Sequence, residues 1–590
     1  MSPSDDNTIK TLNEILEKYH RDSNELLQIL LEAQTITEKN YISEEMIDRI
    51  AEELKISKAR VNSVITFYDA LSDKPRGKYI INLCQSTTCS LWDNKRVVLD
   101  WIIKELGIHP GETTEDQLFT LNTVSCFGAC DISPNVRINH SVFGHLTEEK
   151  MKAILSGIRN SEKSNELLKI QPDRSHKKTV SIITSNFGKY DGYNIEEYIH
   201  LRGFESFRKA LDMGYEAAAN EITQAGIKGR GGAEYPAGIK LLQSREAIGE
   251  RKFVVCNADE GEPGTFKDRE LLKNDPYKVI EGMLIASYIA DAREGIIYLR
   301  EEYSWLRSKI QHAIDCCYEK GYLGKGIGNS AHDFELRIFS GGGSYVCGEG
   351  FALCESLEGK PGKPRIKPPF VKQAGYLQYP TLIMNVETLS AVASFLKDGS
   401  QVFTSIGTPD SPGSKVISIS GKVARPGVYE IPFGLTLQEI IKDIAGGMMD
   451  GEGVGFIQVG GASGGIIPNS LLDTVYDYKT FKKIGTSVGS GALVVGSHKN
   501  NILDYLRVVQ EFFAHESCGK CTPCREGNVQ LHHLLERFSK GIATEVDIER
   551  YRAIVNALEF TSLCGSGKTE AVPLKTALLY FKDIFMEKMI

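Results

Sequence analysis

The sequence predicts a multidomain protein that combines α/β and α+β folds. The chain has 590 residues, and because domains average about 150 residues, several separate cores are expected. Residues 180–410 alternate short apolar strands with helical stretches, which is the pattern of a large α/β domain. Residues 8–71 and 502–588 repeat apolar side chains with helical spacing, so helices are expected at both ends of the chain.

The first three predicted units are a helical segment over 1–76, a small α/β domain over 77–160 and a polar linker over 161–179. Ser57 is a candidate N-cap within the helical segment. We expect these helices to pack against the small α/β domain or against a partner subunit. The next units are the large domain over 180–410 and a β-rich domain over 411–500 that carries one helix. Residues 501–590 are predicted to form a four-helix bundle, with helices near 502–515, 526–539, 545–560 and 572–588.

The composition excludes several classes of protein. A net charge of −8 argues against nucleic acid as a main partner. The N-terminus lacks the apolar run of a secretory signal, and no apolar run reaches the length of a transmembrane helix. We therefore expect a cytoplasmic protein that reaches a membrane through a partner, if at all.

One group of cysteines has the spacing of a cubane cluster. Cys518, Cys521 and Cys524 follow one another at intervals of three, so one tight loop can wrap three corners of a [4Fe-4S] cluster. Cys564 is the candidate for the distant fourth ligand. Structural zinc is the alternative, but zinc sites usually use two separated cysteine pairs.

A second group supplies four thiols from two loops, and its members are Cys84, Cys89, Cys126 and Cys130. Spacing alone leaves a [2Fe-2S] cluster and a zinc ion as equal alternatives. If both groups hold iron–sulfur clusters, the chain needs a source of electrons, which we expect between them.

Three loops in the middle of the chain are candidates for that source. Residues 226–240 and 341–353 are Gly-rich turns that suit a flavin phosphate and a dinucleotide pyrophosphate, although an ordinary flexible loop is the alternative for the first. Lys228 adds positive charge to it. Residues 257–269, NADEGEPGTFKDR, form an acidic turn whose carboxylates can accept from ribose hydroxyls or a flavin ring. A calcium-like or merely solvated turn is the alternative, but calcium loops place their acids at alternate positions.

Residues 180–590 resemble the flavoprotein subunit of respiratory complex I and its relatives in soluble hydrogenases and formate dehydrogenases. The motifs that carry this resemblance are GRGGA, NADEGEPGTFKDR, SYVCGE, NVETL and ESCGKCTPCREG. Residues 1–160 resemble the thioredoxin-like [2Fe-2S] subunit that accompanies it, so the chain is similar to a fusion of the two. The resemblance implies a thioredoxin-like [2Fe-2S] domain, a Rossmann-like domain for FMN and NAD(P)H, a ubiquitin-like β-grasp domain and a helical [4Fe-4S] domain.

The resemblance also implies roles for individual residues. Glu260 would lie beside the flavin, where its negative charge opposes an extra electron, and Glu349 would contact the nicotinamide end. Both are the implied catalytic residues, and Tyr235 is implied to stack on the adenine. The implied cofactor-binding residues are Gly229, Arg230, Gly231, Tyr235, Lys240, Asn257, Asp259, Glu260, Glu262, Tyr345, Gly348, Glu349, Gly350, Phe370 and Asn385.

Four residues depart from the family pattern. Glu234 replaces a glycine, Met384 an asparagine and Ser125 an acid, and Gly350 replaces the second glutamate of C-G-E-E-T-A-L. In NADH-specific relatives that glutamate lies near the adenine ribose, where it would repel a 2′-phosphate. We therefore predict that the protein accepts NADP(H), with a preference over NAD(H).

The predicted function is that of a flavoprotein diaphorase subunit. Hydride transfer between nicotinamide and FMN would be followed by single-electron transfer to the clusters. Because the chain ends at Ile590, soon after the bundle, we expect partners of hydrogenase, formate dehydrogenase or ferredoxin type to receive the electrons. Flavin-based electron bifurcation is compatible with these cofactors but is not established by the sequence. The alternatives are an NADH-specific subunit like that of complex I and a non-catalytic scaffold that bears clusters.

Overall fold

The computed structural model describes residues 3–92, 96–160 and 176–590. Most of the predicted linker, 161–175, lies outside these residues, and the domain limits given above stay predictions. Within the described ranges, no helix is both long and apolar enough to cross a membrane.

The N-terminal segment is helical, as predicted, and Ser57 caps one of its helices by accepting a hydrogen bond from Arg60 N at 3.2 Å. Among the described residues, the small α/β domain, one of the two expected partners of this segment, does not receive its apolar face, and contact with a partner subunit stays a prediction. The apolar side chains of the segment pack against the sheet of the large domain, where they meet Phe253, Val255 and Ile383. Parallel sheets need cover on both faces, and this segment covers one of them. The helices are Pro3–Lys18, Leu26–Ala33, Glu44–Glu53 and Lys58–Ile65.

The thioredoxin-like domain is a mixed sheet with helices beside it. The strand Tyr79–Cys84 is parallel to Phe119–Val124 and antiparallel to Val136–Ile138, which pairs with Ser141–Phe143. Cys84 lies opposite Val124 in the register, so the two cysteine loops leave the sheet side by side. The helices are Thr87–Trp92, Val97–Leu106 and Glu148–Arg159.

The large domain contains a parallel sheet with a topological switch. The strand order is Glu335–Ser340, Glu294–Leu299, Phe253–Ala258 and Thr381–Asn385. Successive strands are added on one side of Phe253–Ala258, and the last strand, Thr381–Asn385, is added on its other side. Ligands of such sheets bind in the crevice at the carboxyl ends of the strands at this switch point. The main helices are Ile195–His200, Glu205–Met213, Tyr215–Gln224, Ala237–Arg245, Lys267–Asn274, Pro276–Ala290, Arg307–Glu319, Gly350–Leu357, Val371–Ala374 and Val386–Phe395.

The β-grasp domain follows as a mixed sheet. Its strand order is Gly427–Pro432, Ser414–Gly421, Ala492–Ser497, Val454–Val459 and Ile466–Pro468. One face packs on a short helical stretch that begins with Leu437–Glu439 and continues through Ile440–Ile444. A further helix is Tyr478–Lys483.

The C-terminal region is a helical bundle whose helices differ in three places from the prediction, one of which is the additional short helix Gly565–Thr569. The second helix begins at Thr522 rather than 526, because Pro523 suits the first turn of a helix. The predicted helix over 572–588 is interrupted at Phe581, whose φ and ψ of −123° and 27° are not helical. The helices are Ile502–Glu516, Thr522–Ser539, Glu545–Thr561, Gly565–Thr569, Ala571–Tyr580 and Lys582–Glu587.

Candidate functional site

The N-terminal cysteine group converges at the ends of two strands. Cys126 Sγ lies 3.2 Å from Cys130 Sγ, and Gly128 N donates to Cys126 Sγ at 3.3 Å. Cys89 Sγ lies 3.4 Å from Ser133 Oγ. Four buried thiols together with a backbone amide suit the sulfur-rich environment of a [2Fe-2S] cluster. The residues that would hold it are Cys84, Cys89, Cys126 and Cys130.

The C-terminal cysteine group lines one cavity at the start of the helix Thr522–Ser539. Cys524 is buried and meets Ser517 Oγ at 3.1 Å and Asn528 Nδ2 at 3.4 Å, and Gly567 N donates to Cys564 Sγ at 3.5 Å. Cys518 and Cys521, by contrast, are partly exposed. The donor set fits a [4Fe-4S] cluster near the surface, held by Cys518, Cys521, Cys524 and Cys564.

The crevice at the switch point contains an unpartnered buried carboxylate. Asp259 is buried, and its Oδ2 accepts no hydrogen bond from the described part of the chain. Burial raises the pKa of Asp259 well above its usual range. A Cβ built at Gly348 would lie 3.7 Å from this oxygen, and Gly261 and Tyr345 line the same cavity. A ligand that donates hydrogen bonds, as FMN can, fits this place.

Two asparagines mark the ends of the neighbouring strands. Asn257 and Asn385 lie opposite each other in the register. Asn257 Nδ2 donates to Gly348 O at 3.0 Å, and Asn385 caps the helix Val386–Phe395. A Cβ at Gly231 would lie 3.2 Å from that of Asn385, so the Gly-rich loop approaches closely because it lacks side chains there.

The two predicted catalytic glutamates are both engaged at helix starts. Glu260 accepts from Asp268 N at 2.7 Å, Arg269 N at 3.1 Å and the Tyr303 hydroxyl at 3.0 Å. Burial and the nearby Asp268 raise the pKa of Glu260 to about 7. This geometry makes Glu260 a residue that positions the acidic turn, and a direct role at the flavin stays a prediction.

Glu349 is held in the same way at the other side of the crevice. Its Oε2 accepts from Phe351 N at 2.9 Å and Ala352 N at 3.0 Å, and its Oε1 lies 2.8 Å from Lys367 Nζ. A single lysine in a proline-rich stretch carries no motif, so the sequence does not predict the contact of Lys367 with Glu349. Gly350 follows directly, and a Cβ there would meet Val371 Cγ2 at 3.2 Å.

Glu262 and Tyr345 connect the crevice to its neighbours. Glu262 accepts from the Tyr345 hydroxyl at 2.8 Å and from Ser463 N of the β-grasp domain at 2.6 Å, and burial raises its pKa. Tyr345 N donates to Glu516 Oε2 at 3.0 Å. Tyr345 and Glu516 line both the Asp259 cavity and the cavity of the C-terminal cysteines, so the two sites are adjacent.

The cations of the Gly-rich loop are not all directed at the crevice. Arg230 is buried, with its guanidinium 3.3 Å from the Tyr478 hydroxyl and above the ring of Phe433. Its charge therefore faces the β-grasp domain, and a role of Arg230 in cofactor binding stays a prediction. Lys228 likewise lies over Tyr478, 4.3 Å from the ring centroid. Lys240 donates to Ile383 O at 2.6 Å, and burial lowers its pKa to about 8.

Aromatic side chains stand exposed at the open end of the crevice. Tyr235 is 42% exposed and Phe370 is 50% exposed, as stacking residues for a nucleotide would be. Gln243 Oε1 accepts from the Tyr235 hydroxyl at 3.1 Å and from Lys372 Nζ at 2.8 Å. Neither Gln243 nor Lys372 belongs to a motif, so no sequence pattern singles them out.

One departure from the family pattern has a backbone consequence. Glu234 has φ +54°, in the left-handed region that favours glycine. This backbone conformation explains why the family pattern has a glycine at the position of Glu234. The Glu234 carboxylate is half-buried, which raises its pKa, and it lies near the backbone of Gly489 in the β-grasp domain.

A buried chain of opposite charges lies beneath the crevice. Lys415 of the β-grasp domain donates to Glu387, to Val416 O at 2.9 Å and to Ser490 O at 3.2 Å. Glu387 Oε2 lies 3.0 Å from Lys267 Nζ, which lies 2.6 Å from Asp268 Oδ1. Asp268 Oδ2 accepts from Asn385 Nδ2 at 2.6 Å. The β-grasp domain is thus bonded, through alternating charges, to a strand end at the crevice.

Family models match each of these regions. A thioredoxin-like [2Fe-2S] ferredoxin model covers residues 12–159, and a Nuo51 FMN-binding domain model covers 222–394. An SLBB domain model covers 416–467, and a model of the NADH-ubiquinone oxidoreductase-F iron-sulfur binding region covers 504–588.

Relatives resemble the chain over most of its length. The NAD-reducing hydrogenase HoxS subunit alpha of Cupriavidus necator is 35% identical over 98% of this chain and 94% of its own. The NADP-reducing hydrogenase subunit HndC of Solidesulfovibrio fructosivorans is 39% identical over 69% of this chain and 83% of its own. A crystal structure of an NAD⁺-reducing [NiFe]-hydrogenase in the H2-reduced state matches with a TM-score of 0.84 and 29% identity, covering 97% of this chain and 93% of that one.

Fold and sites together define a flavin- and iron–sulfur-dependent oxidoreductase. The chain belongs to the family of diaphorase-type flavoprotein subunits shared by NAD-reducing hydrogenases and complex I. Its cofactors are FMN, a [2Fe-2S] cluster and a [4Fe-4S] cluster. The predicted multidomain fold, with its thioredoxin-like, FMN, β-grasp and helical [4Fe-4S] parts, is confirmed.

The flavin supplies hydride acceptance and single-electron release, and the chain supplies position and environment. Asp259 offers an acceptor inside the crevice, and the glycines of the loops let backbone approach the ligand. Tyr235 and Phe370 offer stacking surfaces at its mouth. Tyr345 lies between the crevice and the C-terminal cluster site, since it lines both cavities.

Proposed function

We propose that this chain exchanges hydride with NADP(H) in preference to NAD(H), within a heteromeric complex. The observation that carries the preference is Gly350. It begins the helix Gly350–Leu357 at the open end of the crevice, directly after Glu349, and has no side chain. A carboxylate at this place would repel a 2′-phosphate, and its absence removes that repulsion.

Nearby cations support the same reading. Lys367 lies beside Glu349, and Lys372 lies beside Gln243, next to the exposed ring of Tyr235. The similarity to HndC, whose name describes an NADP-reducing hydrogenase subunit, agrees with it. We further propose that the predicted FMN contacts, among them Asp259, Asn257 and Asn385, act as such.

The test is an anaerobic titration of the cluster-loaded protein with NADPH and, separately, with NADH, following flavin bleaching. Bleaching at a much lower concentration of NADPH than of NADH is the expected result. The reverse order would contradict the preference. It would favour the second candidate, an NADH-specific subunit, which the similarity to the NAD-reducing HoxS subunit alpha supports. A protein purified without flavin would instead favour the scaffold hypothesis.

We also propose that electrons leave the chain at the C-terminal cluster toward another iron–sulfur subunit. Cys518 and Cys521 are partly exposed, and Phe560 and Leu579 of the same bundle are exposed apolar side chains. Identification of the subunits that co-purify distinguishes hydrogenase, formate dehydrogenase and ferredoxin-type partners. Electron bifurcation stays a prediction, and it requires that reduction of a low-potential ferredoxin depend on a second acceptor.

A further inference from the structure

We infer that Arg300 is a positioning residue that joins the acidic turn of the flavin site to a ligand loop of the [2Fe-2S] cluster. Arg300 follows the strand Glu294–Leu299 and is 5% exposed. The inference rests on the proposed cluster ligands, which include Cys126 and Cys130.

One guanidinium reaches both loops. Arg300 Nη1 donates to the carbonyl oxygen of Glu260, within the acidic turn next to Asp259. Arg300 Nη2 donates to the carbonyl oxygen of Cys126 at 2.9 Å. The Arg300 side chain therefore connects the backbone of Glu260, in the flavin site, to the backbone of Cys126, a proposed cluster ligand.

The orientation of Arg300 is itself fixed. Its Nε lies 2.9 Å from Glu302 Oε2 and its Nη2 lies 2.7 Å from Glu302 Oε1, a two-pronged pairing. Arg300 N also donates to Ala258 O at 3.3 Å. Because the guanidinium is planar and its donors form a rigid fork, these bonds determine where the remaining donors point.

Two neighbouring side chains hold the same cysteine loop. Arg269 donates to Gly128 O and lies 3.1 Å from Asp131 Oδ2. A Cβ built at Gly128 would lie 2.1 Å from the Tyr303 hydroxyl, so the loop approaches Tyr303 as closely as a glycine permits. That hydroxyl donates to Glu260 Oε2 at 3.0 Å. Glu260 is thus linked to the cysteine loop through its backbone and through its side chain.

This arrangement has two separable consequences. A guanidinium bonded to the carbonyl of a cluster ligand stabilises an added electron on the cluster, so its removal makes the cluster potential more negative. The hydrogen bonds of Arg300 to the carbonyl oxygens of Glu260 and Cys126 also fix the distance between the flavin site and the cluster. The rate of electron transfer depends on that distance. Glu302 balances the charge of Arg300, from which both of its carboxylate oxygens accept hydrogen bonds.

The experiment uses the full chain loaded with FMN and both clusters, and compares the wild type with Arg300→Gln. Redox titrations followed by EPR measure the potential of each cluster, and rapid mixing with nicotinamide nucleotide measures the rate of [2Fe-2S] reduction. We expect a more negative [2Fe-2S] potential and a rate lower by about tenfold or more. The [4Fe-4S] potential and the FMN content should not change.

Two further variants separate charge from geometry. In Arg300→Gln/Glu302→Gln the charge is balanced again, so the potential should return toward the wild-type value while the rate stays low. Arg307→Gln is the matched control, because Arg307 lies in the same domain and donates to Ser340 Oγ at 2.7 Å instead. It should leave both cluster potentials and the rate unchanged.

Three results would overturn the inference. The first is an Arg300→Gln variant with the wild-type potential and rate. The second is an equal change at both clusters, which would indicate general loosening. The third is recovery of the rate in the double variant. A wild-type chain that shows no [2Fe-2S] signal after reduction with dithionite would instead refute the proposed cluster ligands, so the two failures are distinguishable.

Discussion

The two sides of the flavin domain differ in how completely they are closed. On the side of the [2Fe-2S] loop, Cys126 and Cys130 are each 4% exposed and Arg269 is 1% exposed. The open side comprises two regions: the nucleotide entrance, where Tyr235 and Phe370 are exposed, and the C-terminal cluster site, where Cys518 is partly exposed. The closed side is suited to hold a constant distance, and the open side to exchange substrates and partners. From this difference in exposure we expect the two clusters to serve different purposes in one chain.

The largest expected effect comes from removing a ligand on the open side. Cys564→Ser should abolish the [4Fe-4S] signal, because a cubane needs its distant fourth thiolate. FMN and the [2Fe-2S] signal should remain, since the closed side is built from other residues. EPR and iron content measure this outcome. The control is Cys317→Ser, a buried cysteine in the core of the flavin domain. Loss of both clusters in Cys564→Ser would mean that the two sides are not independent.

The next effect concerns the charges buried beneath the crevice. Lys415→Met removes one of the two buried ammonium partners of Glu387 and leaves Lys267 as the other, which should destabilise the protein by up to about 3–5 kcal/mol. Burial lowers the pKa of Lys415 to about 7, but its three acceptors favour the protonated ammonium. Thermal unfolding of the FMN-loaded protein measures the change.

The control for this variant is an ion pair on the surface of the same domain. Lys479 lies 2.8 Å from Asp410, and both side chains are more than half exposed. Lys479→Met should cost about 0–1 kcal/mol, because solvent screens such a pair. Equal losses in the two lysine variants would contradict the distinction between interior and surface.

A smaller effect is expected at the nucleotide entrance. Gly350→Glu should shift the ratio of apparent affinities toward NADH by about tenfold, equivalent to about 1.4 kcal/mol. The added carboxylate repels the 2′-phosphate, and Val371 can move to accommodate the new side chain. Gly350→Ala adds the Cβ without the charge and should leave the ratio near that of the wild type. Equal losses with both nucleotides in Gly350→Glu would refute the role of this position.

The smallest effect is a difference in the rates at which the clusters are lost. Exposure to an iron chelator should remove the [4Fe-4S] cluster before the [2Fe-2S] cluster, because Cys518 and Cys521 are accessible and Cys84 and Cys89 are buried. The measurement is the decay of each EPR signal with time. Faster loss of the [2Fe-2S] signal would show that the closed side opens in solution.

Much of this organisation was predictable from the sequence because its signals are local. Cysteines three residues apart fix a cluster loop, and Gly-rich turns after apolar strands place a ligand at the end of a sheet. The residues Cys518, Cys521 and Asp259 accordingly lie where a cluster and a flavin would need them.

The remaining features depend on contacts between distant parts of the chain. Arg300 belongs to no motif, and Arg269 ends the acidic turn without an assigned role. Both are buried in the fold, where they donate hydrogen bonds to the cysteine loop. The contact of Arg230 with Tyr478 could not be predicted for the same reason, since the two residues lie 248 positions apart. Glu260 follows a flavin-type motif, yet the start of the helix Lys267–Asn274 holds its carboxylate.

The N-terminal helices form part of the core of a domain that begins more than a hundred residues later. They bury one face of its sheet, and Gln28 and Tyr68 bond to backbone oxygens of Ser340 and Lys360 at 2.7 and 2.8 Å. A chain cleaved between Asn160 and His176 should therefore remain one particle, held by apolar contacts rather than by the peptide bond. The peptide link between the two halves therefore serves another purpose than holding them together. It fixes their stoichiometry at one to one and keeps each half from pairing with other partners.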